Sequence, residues 1–310
     1  MQIPSKIHLI AMDSKLMLDL AIGLKMAGHE VSCSSEDFSE EAKAKLLKYN
    51  LLPEKMGWSP DKVHEGLQAV IIDTQTSIDN SELQRAMTLK VPIHSFPDYI
   101  YRLSMDKQRL VVAGGHGKTM ITGMILHVLN FHKRKFDYVA SAKVMGLENQ
   151  VRLSDAPIII IEGQDAMASP LDLTPVFLRY HHHIGVISGI EWQASATYPT
   201  WNDYIKQFGL FSAATPKGGV LVYFELDPVL ATLSNKDLPD VLLVPYKTHT
   251  STNESGQELL LTSDKERVQL KITGKYNLQN ISAAKEALKR IGITSDMFYQ
   301  AIPSFEGVGN

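Results

Sequence analysis

The first hundred residues alternate between short apolar runs and helical patterns. Residues 7–12 form an apolar run that predicts a buried strand, and residues 16–27 have the apolar spacing of a helix that Gly28 would end. The same alternation continues with a strand over 30–34, a helix over 39–49 capped by Ser39, a strand over 69–73, a helix through Leu83 and Met87, and a strand over 92–95. Strands that alternate with helices predict an α/β fold with a parallel, doubly wound sheet.

A second strand–helix series begins after residue 107. Its predicted strands cover 109–113, 157–161, 184–190, 220–226 and 241–244, and its predicted helices cover 120–131, 277–290 and 295–302. Residues 257–273 alternate between apolar and polar positions, which predicts an antiparallel hairpin. We therefore predict two α/β domains, residues 1–107 and residues 108–310, within this length of chain.

Composition narrows the classes of function. The formal net charge of −3 gives no global field that would attract nucleic acid. Cys33 is the only cysteine of the 310 residues, so no internal disulfide can form and a reducing compartment is expected. No apolar stretch reaches the roughly 20 residues of a membrane span. We expect a cytoplasmic protein with neither nucleic acid nor a membrane as partner.

A glycine-rich segment lies between a predicted strand and a predicted helix. It consists of Gly114, Gly115, His116, Gly117, Lys118 and Thr119. Backbone N–H groups of such a loop converge on phosphate, a lysine here reaches the terminal phosphates, and the hydroxyl contacts Mg²⁺. Val112 occupies the place of the first glycine of the general pattern G-x-x-x-x-G-K-[ST]. Phosphate binding is the interpretation we favour, and an incidental loop is the alternative.

Two other features have ordinary structural explanations. Adjacent residues before a strand point to opposite faces, so His181, His182 and His183 form a poor metal chelator. His116 is expected to be a neutral loop histidine rather than a catalyst. Asp172 is left open between a family site position and a loop acid or helix cap.

The order of several segments resembles that of the Mur ligases, in particular the UDP-N-acetylmuramate–alanine ligases and the ligases that recycle murein tripeptide. The resemblance rests on residues 7–28, 111–119 with 123–129, then 161–163, 169–172, 186–190 with Trp192, 199–200, 274–280 and 283–284. It implies a nucleotide-binding ligase of peptidoglycan synthesis or recycling. Such enzymes join an amino acid or peptide to UDP-N-acetylmuramate through an acyl phosphate made from ATP.

The resemblance also implies a domain plan. Its members have an N-terminal Rossmann-like domain for the UDP group, a central P-loop ATPase-type domain and a C-terminal domain with the amino-acid site. The present sequence stops at Asn310, shortly after a Phe305-Glu306-Gly307-Val308 run that in the family leads into the third domain. We expect that domain to be absent from this chain, so that a separate chain would have to supply it.

Some of the family's site residues are retained. By resemblance, the phosphate loop from Gly114 to Thr119 binds ATP, Thr119 and Glu162 hold Mg²⁺, and Asn277 and Asn280 lie near the nucleotide. ATP and Mg²⁺ are therefore the expected cofactors. Tyr276 stands where the family has histidine.

Other positions depart from the family. Gln164 and Asp165 replace an Asp-Glu pair, and Gln193 and Ala194 replace an Asp-His pair near the metal and acyl phosphate. The glycine-rich turn for UDP is replaced by residues 12–16, which contain Asp13 and no glycine, so binding of the UDP-muramoyl substrate is doubtful. We name no catalytic residue and expect impaired catalysis. The alternative is a non-catalytic ATP-binding pseudoenzyme that acts as a scaffold or sensor.

Overall fold

A computed structural model describes residues 5–12, 14–234, 238–254 and 257–309 of the chain. Its first half contains one four-stranded sheet and the helices around it. In chain order the elements are β1 (Lys6–Ile10), α1 (Lys15–Met26), β2 (Glu30–Ser34), α2 (Glu40–Lys48), a 3-10 turn (Pro60–Lys62), β3 (Ala69–Ile72), α3 (Ser81–Leu89), β4 (Ile93–Ser95) and α4 (Phe96–Leu103).

The first sheet is parallel throughout, with strand order β2-β1-β3-β4. Ile7 pairs with Val31 on one side and with Ala69 on the other. All four residues of β3 are buried, as expected for a strand covered by helices on both faces. The predicted cap Ser39 accepts a hydrogen bond from the backbone N–H of Ala42, which begins α2. This half of the chain therefore has the predicted α/β alternation.

The second half is built on a larger sheet. Its elements are β5 (Gln108–Ala113), α5 (Lys118–Phe131), β6 (Asp137–Val139), β7 (Lys143–Val144), β8 (Val151–Arg152), β9 (Ile158–Glu162), β10 (Met167–Ser169), β11 (Asp172–Pro175), α6 (Val176–Arg179), β12 (Ile184–Ile187), α7 (Trp201–Ala213), β13 (Val220–Phe224), α8 (Pro228–Ser234), β14 (Leu242–Tyr246), β15 (Ser251–Glu254), β16 (Gln257–Leu261), β17 (Arg267–Gln269), α9 (Lys275–Lys289), α10 (Ser295–Ala301), a 3-10 turn (Ile302–Ser304) and β18 (Val308–Gly309).

Seven strands form this main sheet, in the order β14-β13-β12-β5-β9-β6-β8. Only β8, at one edge, runs antiparallel to its neighbour, and the other pairings are parallel. The central strand β5 is apolar and buried from Leu110 to Ala113. Since parallel strands end at the same edge, the loops after β5, β9, β12 and β13 meet there.

Three local predictions differ from the structure. The strand predicted over 184–190 ends at Ile187, because the chain turns at Gly189, where φ is +145°. The predicted hairpin at 257–273 is part of a three-stranded antiparallel sheet that also includes β15. Helix α7 was not predicted; its start is fixed by Thr200, whose side chain accepts a hydrogen bond from the N–H of Asp203.

The two sheets are joined by the short segment between α4 and β5, where the predicted boundary of 107/108 lies. Arg109 donates from its guanidinium to the carbonyl oxygens of Ser104 (2.6 Å) and His181 (2.9 Å), which fixes this segment against the second sheet. One buried apolar cluster includes Met17 of α1 and Val111 of β5, so side chains pack across the boundary. The division into two independently folding domains stays a prediction. None of the helices in the described part of the chain is long and apolar enough to cross a membrane.

We predict that Lys107 is a stabilising anchor of this junction. Its buried ammonium group donates to the carbonyl oxygens of Ser154 and Ala156, each at 2.8 Å, and lies 3.1 Å from a carboxylate oxygen of the buried Asp137. Lys107→Met would leave that carboxylate buried without its cation, so we expect a loss of about 3–5 kcal/mol in the free energy of unfolding. Urea unfolding followed by circular dichroism would measure it.

The matched control is Lys217→Met, which removes an ammonium group from an ion pair whose side chains are 88% and 50% exposed. Exposed ion pairs contribute little to the free energy of unfolding, so this variant should unfold at nearly the same urea concentration as the unmodified chain. Equal shifts of the urea unfolding midpoint in the two variants would contradict the anchoring role of Lys107.

Candidate functional site

The glycine-rich loop lies where the sequence places it, between the end of β5 and the start of α5. Gly114 and Gly117 have φ values of +135° and +80°, a region that glycine adopts without strain. The N–H of Gly115 donates to the carbonyl oxygen of Gly189 at 2.7 Å, which ties the loop to the chain after β12. Gly117 caps α5 without any side-chain hydrogen bond. The first turn of α5 therefore presents N–H groups that no side chain caps, the arrangement that binds phosphate.

Each glycine of the loop is closely approached by another segment. A Cβ on Gly114 would overlap the hydroxyl of Ser188, and one on Gly117 would overlap the amide oxygen of Asn280. A Cβ on Gly115 would overlap the backbone of Glu191 and lie 2.7 Å from its carbonyl oxygen. The loop thus holds its form only without side chains at these three positions, and it stays open on the side that faces solvent.

The two polar side chains at the start of α5 are both engaged inside the protein. Lys118 is buried, and its ammonium group donates to the carbonyl oxygen of Gly114 at 2.7 Å. The hydroxyl of Thr119 donates to Glu162 Oε1 at 2.6 Å. Because Glu162 is the last residue of β9, this hydrogen bond joins the start of α5 to the strand beside β5.

Glu162 is a buried carboxylate with three hydrogen-bond donors. Besides Thr119, the backbone N–H of Ser141 donates to Oε2 at 2.9 Å, and the amide of Gln164 donates to Oε1 at 3.1 Å. A hydroxyl and a carboxylate side by side fit Mg²⁺, which binds one or two protein oxygens and takes its other ligands from water and phosphate. No group of three or more His, Cys, Asp or Glu side chains suited to a metal occurs in the described ranges. The donors therefore suit a metal bound together with a nucleotide.

A cavity of about 290 Å³ opens beside the loop. It is lined by His116, Ser188, Gly189, Phe224, Asp227, Pro228, Lys275, Tyr276 and Gln279. The exposed ring of Tyr276 meets that of His116 edge to face, with 5.5 Å between the ring centres. His116 Nδ1 lies 3.0 Å from a carboxylate oxygen of Glu191 but outside hydrogen-bond geometry. His116 belongs both to the loop and to the wall of this cavity, so the cavity lies directly beside the loop.

The two asparagines predicted near the nucleotide differ in position. Asn280 is buried and its amide oxygen lies against Gly117, directly at the loop. The amide of Asn277 instead donates to the carbonyl oxygen of Thr273 at 2.8 Å. The structure therefore brings Asn280 to the loop, while Asn277 is engaged at the start of its own helix.

Sequence reasoning missed two residues of this site, Ser188 and Asp227. The hydroxyl of Ser188 donates to the carbonyl oxygen of His116, and Asp227 Oδ2 accepts from the N–H of Ile190 at 2.8 Å. Both residues follow parallel strands, β12 and β13, whose carboxyl ends meet the loop. That rule, applied to every polar residue after a predicted strand, could have found them.

The residues that differ from the Mur ligase pattern make contacts of their own in this structure. The amide of Gln164 faces Glu162, and Asp165 accepts from the hydroxyl of Tyr204 at 3.1 Å. Gln193 and Ala194 are exposed, in a segment where the indole N–H of Trp192 donates to the carbonyl oxygen of Tyr198. Of the altered turn at 12–16, Asp13 lies outside the described residues, and Ser14 caps α1 through the N–H of Met17 at 3.3 Å.

The histidine run has structural roles. His182 lies face to face with Phe211, with 3.9 Å between ring centres, and its Nε2 is 2.8 Å from the hydroxyl of Thr215. Burial, with smaller effects from neighbouring cationic groups, lowers the pKa of His182 to about 3, so the ring is neutral. His183 Nδ1 accepts from the N–H of Arg109 at 3.1 Å. The ring of His181 lies against Tyr101, with 4.5 Å between ring centres, so the three histidines have different ring contacts. That the run does not bind a metal stays a prediction.

The open alternatives for Asp172 are narrowed by its contacts. One carboxylate oxygen accepts from the N–H of Thr174 at 3.1 Å, and the other lies 2.5 Å from the guanidinium of Arg179. Despite the opposing effect of burial, these hydrogen bonds hold its pKa below the ordinary aspartate value. Asp172 is the first residue of β11, so these contacts are those of an acid at a strand end and not of a helix cap, and a site role by resemblance stays untested.

Known proteins similar to this chain are ligases. UDP-N-acetylmuramate–L-alanine ligases from Carboxydothermus hydrogenoformans and Aquifex aeolicus are 26% and 24% identical to it, each over 97% of this chain and over 65% and 66% of their own length. The chain thus spans about two thirds of these relatives. No model of a known protein family matches it.

Solved structures give the same result for the fold. The UDP-N-acetylmuramate:L-alanyl-gamma-D-glutamyl-meso-diaminopimelate ligase of Neisseria meningitides superposes with a TM-score of 0.87 at 20% identity, over 99% of this chain and all of that one. The UDP-N-acetylmuramate-alanine ligase of Thermotoga maritima superposes with a TM-score of 0.74 at 23% identity, over 98% of this chain and 69% of that one. The predicted α/β fold is confirmed.

We predict that Gly115→Ala displaces the loop. Its Cβ would overlap the backbone of Glu191, which cannot rotate away as a flexible side chain could. The unfolding free energy should fall by roughly 1–3 kcal/mol, the usual cost of overpacking. Gly23→Ala is the matched control, because this helical glycine has no atom within 4 Å of the added Cβ and alanine favours helix. Thermal unfolding should show a lower midpoint for Gly115→Ala and an unchanged or higher one for Gly23→Ala; the reverse order would contradict the packing argument.

Proposed function

The chain belongs to the Mur ligase family, and from this premise we propose that it binds ATP with Mg²⁺ at the loop from Gly114 to Thr119. The observation that carries the proposal is the convergence of the buried Lys118 with the Thr119–Glu162 hydrogen bond at the uncapped start of α5. A cation, a hydroxyl, a carboxylate and free N–H groups are together what a nucleoside triphosphate with its metal requires.

Each group of the loop has a distinct part in this binding. The N–H groups at the start of α5 would donate to phosphate oxygens, and Lys118 would leave the carbonyl oxygen of Gly114 to pair with the terminal phosphates. Thr119 and Glu162 would hold Mg²⁺, which supplies charge neutralisation to the phosphates when bound. Asn280, held against Gly117, would position the loop for the nucleotide.

We further propose that the chain, as given by this sequence, is impaired in forming an amide bond. Transfer of a phosphoryl group to a carboxylate needs positioning and charge stabilisation together. Ala194 can neither ligate a metal nor move a proton, and Gln164 offers an amide where the family has an acid. These substitutions support loss of the chemical step while the binding groups are retained. The same substitutions equally favour the second candidate function, an ATP-binding pseudoenzyme that serves as scaffold or sensor.

The family's wider properties come to this chain as proposals. We propose a cytoplasmic location and a role connected with peptidoglycan synthesis or recycling, supported by the names of the relatives. We propose that the chain does not bind the UDP-muramoyl group in the family's way, since residues 12–16 contain no glycine.

Calorimetric titration with ATP and Mg²⁺ tests the binding proposal. Lys118→Ala removes the cation and should weaken nucleotide binding by about 1.5–3 kcal/mol, the value of a charge-assisted hydrogen bond. Glu162→Gln keeps the shape of the side chain but removes its charge, so binding should lose most of its dependence on Mg²⁺. Lys135→Ala changes an exposed lysine away from the loop and should leave affinity unchanged. Equal affinities for all four proteins would contradict the proposal.

Phosphate release from ATP tests the impaired step separately. The purified chain would be given UDP-N-acetylmuramate with L-alanine or with murein tripeptide. We expect no turnover that depends on the acceptor, because no group replaces the family's histidine at Ala194. Acceptor-dependent turnover that disappears in Lys118→Ala would show an intact ligase site and would contradict the pseudoenzyme interpretation as well.

A further inference from the structure

One of the donors that hold the carboxylate of Glu162 is itself held from a distance. The N–H of Ser141, which lies two residues after the end of β6, donates to Glu162 Oε2 at 2.9 Å. The carbonyl oxygen of Ser141 accepts from the side-chain amide of Gln150 at 2.7 Å. The place of Ser141 beside the carboxylate therefore depends on a residue that does not touch Glu162 through that amide.

Gln150 holds the chain on both sides of the peptide unit that joins Ala140 to Ser141. Its backbone carbonyl oxygen accepts from the N–H of Ala140 at 2.9 Å, which continues the antiparallel pairing of β6 with β8. Its side-chain amide holds the carbonyl oxygen of Ser141, on the far side of the same peptide unit. Because these two hydrogen bonds flank the N–H of Ser141, they set the direction in which it points.

The backbone of Gln150 is fixed in turn by a carboxylate from the first half of the chain. Asp19 of α1 is buried, and its Oδ2 accepts from the N–H of Gln150 at 2.5 Å, across 131 residues of sequence. Its Oδ1 accepts from the ammonium group of Lys45 at 2.5 Å, and that group also donates to Asn149 Oδ1 at 2.9 Å. Hydrogen bonds to ionised groups are the stronger ones, so Asp19 is a firm anchor for the segment 149–150.

An ion pair that merely joins α1 to α2 is the simpler explanation of Asp19. Such a pair would be complete with Lys45 and would need no contact with the second half of the chain. Asp19 instead places its second oxygen on the backbone of Gln150, whose amide holds the residue that donates to Glu162. The hydrogen bonds thus form an unbroken series from α1 to the carboxylate at the edge of the main sheet.

We propose that Asp19 and Gln150 are positioning residues for Glu162, through which the first half of the chain regulates how strongly the nucleotide site holds Mg²⁺. The inference rests on the proposed function, in which Glu162 is a metal ligand. Groups that orient a metal ligand without touching the metal commonly change metal affinity by roughly 10–100-fold. Loss of either residue should therefore reduce the contribution of Mg²⁺ to nucleotide binding and leave metal-free nucleotide binding unchanged.

Gln150→Met tests the link in the full chain, because methionine has a similar length but no amide to donate to Ser141. Calorimetric titration would measure ATP affinity with Mg²⁺ and with EDTA. We expect unchanged affinity in EDTA and an enhancement by Mg²⁺ that is about tenfold smaller than in the unmodified chain. The matched control Gln84→Met removes an amide hydrogen bond of 2.8 Å to the carbonyl oxygen of Ile78, and it should leave both affinities unchanged.

A pair of variants tests Asp19. Asp19→Ala removes both carboxylate oxygens, whereas Asp19→Asn keeps an oxygen that can accept from the N–H of Gln150. We expect Asp19→Ala to reduce the enhancement by Mg²⁺ about tenfold, and Asp19→Asn to retain most of it. Equal losses in the two variants would trace the effect to the ion pair with Lys45 and would overturn the positioning role of Asp19.

The backbone amide resonance of Ser141 in two-dimensional NMR tests the link without nucleotide or metal. Gln150→Met and Asp19→Ala should shift this resonance, because the N–H would no longer be aimed at the carboxylate, and Gln84→Met should not. An unshifted resonance would overturn the link even if the chain binds ATP. A shifted resonance with an undiminished enhancement by Mg²⁺ would show a structural contact alone and would overturn the positioning role. Absence of ATP binding by the unmodified chain would contradict the proposed function and remove the regulation with it.

Discussion

The hydrogen bond from Thr119 to Glu162 is the interaction on which the rest of the site depends. It joins the start of α5 to the end of β9, and because Ser141 and Gln164 donate to the same carboxylate, the segments after β6 and β9 are fixed by it too. A buried carboxylate is stable only when such donors surround it. The charge of Glu162 therefore organises this sheet edge, and we propose that the same carboxylate holds a metal.

Close approach of backbone to backbone is the second constraint. The loop packs so tightly against residues 188–191 and Asn280 that side chains at Gly114, Gly115 and Gly117 would overlap them. This packing orients the N–H groups before any ligand arrives, which reduces the cost of ordering them on binding. The internal hydrogen bonds of Lys118 and Thr119 engage the same groups that the proposed nucleotide and metal would use.

The sequence was most informative where local patterns decide structure. The apolar runs of β3 and β5, the cap at Ser39 and the loop from Gly114 to Thr119 could all be predicted, since each depends on neighbouring residues. Features set by distant contacts could not. The partners of Ser188 and Asp227 and the shared core of Met17 and Val111 follow from how strands are ordered in space.

The central claim is that Thr119 and Glu162 hold a metal over phosphates bound by the loop. A crystal structure of the chain with a non-hydrolysable ATP analogue and Mg²⁺ tests it most directly. We expect phosphate oxygens within about 3 Å of the N–H groups at the start of α5, and the metal at roughly 2.1 Å from the hydroxyl of Thr119. Nucleotide bound at another place, with Lys118 still on the carbonyl oxygen of Gly114, would contradict it.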